Sequence, residues 1–431
     1  MRVYPIIFAV VVALAWPSRV PAAVLRVPED YPSVLAGVDA AAAGDSVLVG
    51  SGMWRDTAVR TIVYLGQALT LQVAMVLKPG VTVLGTTGAG STVLDGGAQV
   101  THAVATVIHA SPGSVPARVV GFTITGGGEG VATGGSNFLE LDGCRIQDNG
   151  LPGIVIRNGD LTLVNCVVSG NDWNQAPPLA GAVFGFDYNI TCIGCTFEHN
   201  RGPGLSVRLD QGWGNGMVVT LQDCVFQDHT QRGALLGDAP FLDIERCLFL
   251  RNSISGGTNG PGGGLDLGRC TGSVRFCTFA FDSAGGGGGA HIGTSQVRVE
   301  NNTFYGCYAG TEGGALFVDG PDQGTANNIF AYSTGRRGAV AGPTPNPQSG
   351  CNVYWANSAG DGYGGWVPGA TDIHADPLFC DPVTLDFHLQ AASPAAPANS
   401  NGCGLIGTFD VNCGPVSVEP RSWGRVKSLF R

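Results

Sequence analysis

One short pattern recurs eight times along this chain, and it leaves little room for any fold other than a solenoid. A Cys or Asn stands at Cys144, Cys166, Cys195, Cys224, Cys247, Cys277, Asn302 and Asn328, at spacings of 22, 29, 29, 23, 30, 25 and 26 residues. Two residues after each comes an apolar side chain: Ile146, Val168, Phe197, Phe226, Phe249, Phe279, Phe304 and Phe330. A period of two puts both residues on one side of a strand, here the interior. Three positions later stands Asn149, Asn171, Asn200, His229, Asn252 or Asp282. Asn suits a sharp corner because it bonds its own backbone and tolerates a left-handed conformation, and stacked asparagines can satisfy one another. A Gly-led apolar strand follows, as in Gly153-Ile154-Val155-Ile156 or Gly233-Ala234-Leu235-Leu236. A coil of this length, with about three strands and no helical periodicity, is the unit of an all-β parallel β-helix.

The two ends differ from the repeat. Arg2 followed by the apolar run Ile6 to Trp16, with small residues at Val20-Pro21-Ala22 or Pro21-Ala22-Ala23, reads as a removable secretory signal over residues 1–22. Residues 23–76 are expected to form an N-terminal cap and first strands. Within them, Tyr31 to Ala43 reads as a helix with Val34, Leu35 and Val38 on one face, ended by Gly44-Asp45. Such a helix would cover the open end of the solenoid. The β-helix is expected over 77–345, with side loops at Asn174 to Ala180, Gln211 to Gly216 and Ser255 to Gly263, and a closing segment over 346–414. Residues 415–431 form a linker and a short basic tail, read either as a frayed terminus or as a signal for export or surface retention.

The chain carries 13 cysteines. Stacked residues of a parallel sheet lie about 4.8 Å apart with parallel side chains, a poor geometry for a disulfide. Cys144 through Cys277 are therefore expected to be a ladder of buried thiols. Proximity along the sequence pairs Cys403 with Cys413 and Cys351 with Cys380. The net charge is −10 and only two lysines occur, Lys78 and Lys427. An acidic chain without a basic stripe is not expected to bind nucleic acid, and no apolar run is long enough for a transmembrane helix. A monomer is expected.

The chain resembles the right-handed parallel β-helix, or pectin-lyase-like, superfamily. The carriers are the cap segment Tyr31 to Gly52 and the closing segment Asp376-Pro377-Leu378-Phe379 with Asp386-Phe387-His388-Leu389 and Ser393-Pro394. Phe249-Leu250-Arg251-Asn252 and Gly313-Gly314-Ala315-Leu316 resemble repeats of polymorphic outer-membrane proteins. The resemblance implies a right-handed coil and a groove for sugar chains along outward-facing strand positions. It does not choose an activity, because the superfamily includes lyases, hydrolases, esterases, epimerases and adhesins. The Asn-Thr-Asp, Asp-Asp and Gly-His-Gly motifs of its polygalacturonase-like hydrolases are absent here.

In the Gly-led strand the outward position is read as Val155, Val183, Ser206, Leu235, Asp266, His291 and Leu316. Asp266 and His291 fall on consecutive coils, about 5 Å apart. A carboxylate beside an imidazole orients it for general-base work; the plainer reading is a hydrogen-bonded surface pair. Two residues further along stand Arg157, Gly185, Arg208, Gly237, Gly268, Gly293 and Val318, with Asp187 and Asp210 beyond. Arg208, Asp187 and Asp210 could clamp a carboxylate or hold Ca²⁺, or form surface ion pairs. Glu245, Arg275 and Glu300 read as register-keeping charges. Cys192-x-x-Cys195 lacks the second pair a structural zinc needs.

Two function classes follow. One is an exported or cell-surface protein that binds a polysaccharide or surface glycan without catalysis. The other is a polysaccharide-active enzyme with Asp266, His291, Arg208 and Asp210 in its groove.

Overall fold

The computed structural model describes residues 21–413 apart from 56–57, 65–66, 98–104, 111–114, 134–136, 173–181, 209–216, 239–240, 255–259 and 322. The signal segment, the basic tail, Asp210 and most of the three expected side loops lie outside the described residues. The described chain is a right-handed parallel β-helix of about 10 turns. Its Gly-led strands and the strands that follow them belong to one long sheet, and the eight strands of the Cys/Asn repeat lie within a second sheet of 13. Val24–Val27 pairs in parallel with Ser46–Val49, which pairs in turn with Thr82–Gly85, so the first coils already belong to the long sheet.

Along the phenylalanine strands the register pairs like with like. Phe197 stacks on Phe226, and the run continues through Phe249, Phe279 and Phe304 at centroid spacings of 4.7, 5.0, 4.8 and 4.6 Å. These distances are the rise from strand to strand, so the coil, rather than ring–ring preference, sets the stacking. The cysteines of the ladder are buried free thiols. Burial pushes Cys192, Cys195, Cys224 and Cys247 well above the usual thiol range, which keeps them inert. Asn149, Asn171 and Asn200 are buried and bonded rung to rung, Nδ2 to Oδ1, at 2.9 and 3.0 Å.

The ladder also explains why glycine leads the next strand. A Cβ on Gly153 would lie 2.8 Å from Asn171 Nδ2, and one on Gly204 would lie 2.5 Å from His229 Nε2. In these coils the corner side chain fills the space that a Cβ at the lead position would need.

The cap helix runs Val34–Ala40, shorter than the expected Tyr31 to Ala43. Ser33 caps it, its Oγ accepting from Ala36 N at 3.2 Å. Ala41 is already extended, and Lys78 Nζ donates to its carbonyl at 3.0 Å. Val34, Leu35 and Val38 are buried as expected, and Gly37 lets the helix approach Val27 and Val47.

The closing segment corrects the disulfide expectation. The four cysteines are the expected ones, but the bridges are Cys351–Cys403 and Cys380–Cys413. The chain doubles back along the 13-stranded sheet, with Gly407 N donating to Asn327 O at 2.8 Å and Thr408 Oγ1 to Cys277 O at 2.7 Å. That return carries Cys403 to Cys351 and leaves Cys413 beside the hairpin containing Cys380.

Candidate functional site

The outward row of the Gly-led strands follows from the register of neighbouring coils. Val155 pairs with Phe184, Phe184 with Ser206, Ser206 with Leu235, Leu235 with Asp266, Asp266 with His291, and His291 with Phe317. Two expected members are therefore wrong. Val183 and Leu316 point inward and are fully buried, and Phe184 and Phe317 take their places. In those coils the lead position is Ala182 or Ala315 rather than the preceding glycine. Counting from the glycine slips the reading by one residue, which exchanges the two faces of a strand.

Asp266 and His291 meet as expected. His291 Nδ1 lies 2.8 Å from Asp266 Oδ1. A carboxylate only accepts, so Nδ1 carries the donated hydrogen, and the lone pair of the ring's neutral form lies on Nε2. The third member, which sequence reasoning missed, is Arg232, whose Nε lies 2.9 Å from Asp266 Oδ2. The same Nε is 2.8 Å from Pro261 O, which holds the guanidinium against the face. Side-chain exposure is only 16% for Arg232 and 11% for Asp266 and His291, so all three charge-bearing groups are largely withdrawn from water. Arg232 precedes its Gly-led strand, at the place of Gly263 in the next coil. A charge where the neighbouring coil has glycine was the available signal.

Two surfaces flank this triad. On one side Gly237, Gly268 and Gly293 pair in register and form a floor without side chains. A Cβ on Gly293 would lie 2.7 Å from His291 Cε1 and 3.3 Å from Nε2, so the imidazole edge leans over this floor. A Cβ on Gly268 would meet nothing within 4 Å, and packing does not demand glycine there. On the other side Phe317 stacks on His291 at 5.2 Å. Beyond Phe317 opens a cleft of about 420 Å³ lined by Glu312, Phe317, Asp319, Gly342, Pro343 and Tyr363. The Arg337 guanidinium lies 5.0 Å from the centre of the Tyr363 ring.

The second expected row also needs correction. Arg157 pairs with Phe186 and Phe186 with Arg208, while Gly293 pairs with Asp319. Phe186 and Asp319 thus replace Gly185 and Val318, through the same one-residue slip. The side chains of Arg208 and Asp187 lie outside the described residues, as does Asp210. Arg208 sits in the coil before Leu235, two coils from Asp266, so the arginine that meets Asp266 is Arg232. Among the described residues no group of three His, Cys, Asp or Glu side chains could hold a metal ion, and no helix is long and apolar enough to cross a membrane.

Other candidates have structural duties. Arg275 lies 3.3 Å from Glu245, within the row read as register-keeping. Cys192 and Cys195 are buried free thiols. His374 and His388 each hold an aspartate, Asp361 at 2.9 Å and Asp386 at 2.7 Å, within the closing segment.

A family model agrees with the fold. The family model of the right-handed β-helix region matches residues 106–267. A pectate lyase, Pel9A, is similar at a TM-score of 0.43 and 14% identity, covering 91% of this chain and 97% of that one. The A-module of the Azotobacter vinelandii mannuronan C-5 epimerase AlgE4 is similar at a TM-score of 0.25 and 14% identity, covering 76% of this chain and 83% of that one. No curated protein matches.

Proposed function

We propose that this chain is an exported protein that binds a polysaccharide along the outward face of its Gly-led strands. The observation that carries the reading is the glycine floor of Gly237, Gly268 and Gly293, bordered by Asp266 and His291 and continued by the cleft at Phe317 and Tyr363. A bare strip lets a sugar ring lie against the backbone. Aromatic faces beside it offer apolar contact, while Glu312 and Asp319 offer acceptors for hydroxyl groups. Consecutive coils repeat every ~4.8 Å, so the floor and cleft form a linear track suited to an extended chain. The leader over residues 1–22 supports export.

The test uses the open space at Gly268. Its backbone is not left-handed and its Cβ position is empty, so Gly268→Phe should fold normally while raising the floor. Affinity electrophoresis against xylan, mannan, cellulose, chitin, pectin and alginate should show binding to at least one by the wild type. A loss of tenfold or more is expected in Gly268→Phe with an unchanged melting temperature. Binding that survives the substitution would place the glycan elsewhere. Amino-terminal sequencing of secreted protein should begin near Ala23.

A further inference from the structure

We propose that the Arg232–Asp266–His291 triad is the catalytic centre of an ester hydrolase acting on O-acylated, uncharged glycans, a reading that rests on the glycan track proposed above. Three observations carry it. Asp266 is engaged on both oxygens, by Arg232 at 2.9 Å and by His291 at 2.8 Å, so the ring is locked with Nε2 as its free edge. Nε2 makes no hydrogen bond to any described residue and leans over Gly293, where the track is bare. No packing constraint explains Gly268 in the same floor. A merely structural aspartate–histidine pair needs neither the empty floor nor the open Nε2.

The surroundings choose among reactions. Glycoside hydrolysis needs an acid opposite the base, held protonated by apolar surroundings. Asp266 is already held by Arg232 and His291, and Asp319, which pairs with Gly293 at the end of the floor, is exposed to solvent. Elimination from a uronate chain needs cations to neutralise the sugar carboxylate, whereas the cleft lining carries the two carboxylates Glu312 and Asp319 against the single Arg337 guanidinium held at Tyr363. Ester hydrolysis needs one base that returns the proton it takes. His291 Nε2 removes a proton from water as the water oxygen bonds to the acyl carbon. The carbon–oxygen bond to the sugar then breaks, and the sugar oxygen takes the proton back from Nε2. A carboxylic acid and a free hydroxyl leave, and no other reactant is consumed. Asp266 and Arg232 are positioning residues that fix the ring and balance the imidazolium formed on the way.

The experiment incubates the purified chain with acetylated xylan and acetylated mannan and follows acetate, reducing ends and unsaturated products, with binding measured in parallel. Acetate release is expected from the wild type, with His291→Ala losing at least a hundredfold while still binding. Asp266→Asn should lower kcat by about a thousandfold or more with KM little changed, because it spoils the tautomer and not the track. Melting temperatures separate these effects from unfolding, and Gly268→Phe should lose acetate release through KM with its triad intact. Binding without acetate release, release insensitive to His291→Ala, or reducing ends or unsaturated products instead of acetate would overturn the assignment. Failure to bind any of the polysaccharides would instead overturn the glycan reading itself.

Discussion

Replacing Asp282 with asparagine should stabilise this protein at neutral pH. In the corner ladder each side-chain oxygen accepts from the rung before it, and each Nδ2 donates twice. Asn252 Nδ2, for example, donates to Phe226 O and to Asp282 Oδ1, both at 2.9 Å. Asp282 Oδ1 fulfils the acceptor role, but Oδ2 occupies the site of the usual Nδ2. It lies 2.8 Å from where a Cβ on Gly264 would be, as Asn171 Nδ2 does from Gly153. That oxygen is buried without a partner. Burial raises the Asp282 pKa well above its ordinary 3.8. A group raised on folding contributes its full stability below the unfolded value and loses it as pH rises toward the folded value. At pH 7 the wild type therefore carries a penalty that asparagine lacks. Satisfying one buried polar atom is worth about 1–3 kcal/mol. Urea titrations of both proteins at pH 7 and near pH 3.5 measure it, with a gain of about 1–3 kcal/mol expected at pH 7 and a smaller one in acid. Destabilisation at pH 7, or a gain that does not shrink in acid, would refute the reasoning.

Further outcomes follow from the same packing. Burial lowers the His229 pKa from 6.5 to about 4, so the folded state resists a proton that the unfolded state accepts. Stability should fall by about 3 kcal/mol in total as pH drops from about 6.5 to about 4. His229→Asn should flatten that part of the pH profile in urea titrations. Phe249→Ala, which removes a fully buried ring from the middle of the stack, should cost about 3–5 kcal/mol; a cost below 1 kcal/mol would mean the ring is not packed. Non-reducing peptide mapping should recover Cys351 with Cys403 and Cys380 with Cys413, and breaking the first bridge, which closes a separation of 52 residues, should cost about 4 kcal/mol. Recovery of Cys403 with Cys413 would refute the doubled-back closing segment.

What the site owed to sequence and what it owed to structure separate along one line. Asp266 and His291 stand at equal distances from their lead glycines, so counting within each coil was enough to predict their meeting. Arg232 belongs to the approach to a strand rather than to a strand. Its reach to Asp266 depends on where the neighbouring loop places Pro261 O, which no periodicity encodes. Val183 and Leu316 were misplaced because Ala182 and Ala315 stand where other coils have glycine. Period two turns a one-residue slip into a change of face.

The amino-acid sequence by itself determined the coil: the Cys/Asn position, the phenylalanine two residues on, the corner asparagine and the glycine lead. Each makes its contact with its own counterpart one coil away, so the pattern needs only local spacing to be read. Tertiary structure alone decided which side the residues of the alanine-led coils face, the arginine that completes the triad and the pairing of the four disulfide cysteines. Those features join residues of unlike position, across a loop or along a segment that doubles back, and a repeating pattern carries no information about contacts outside its own repeat.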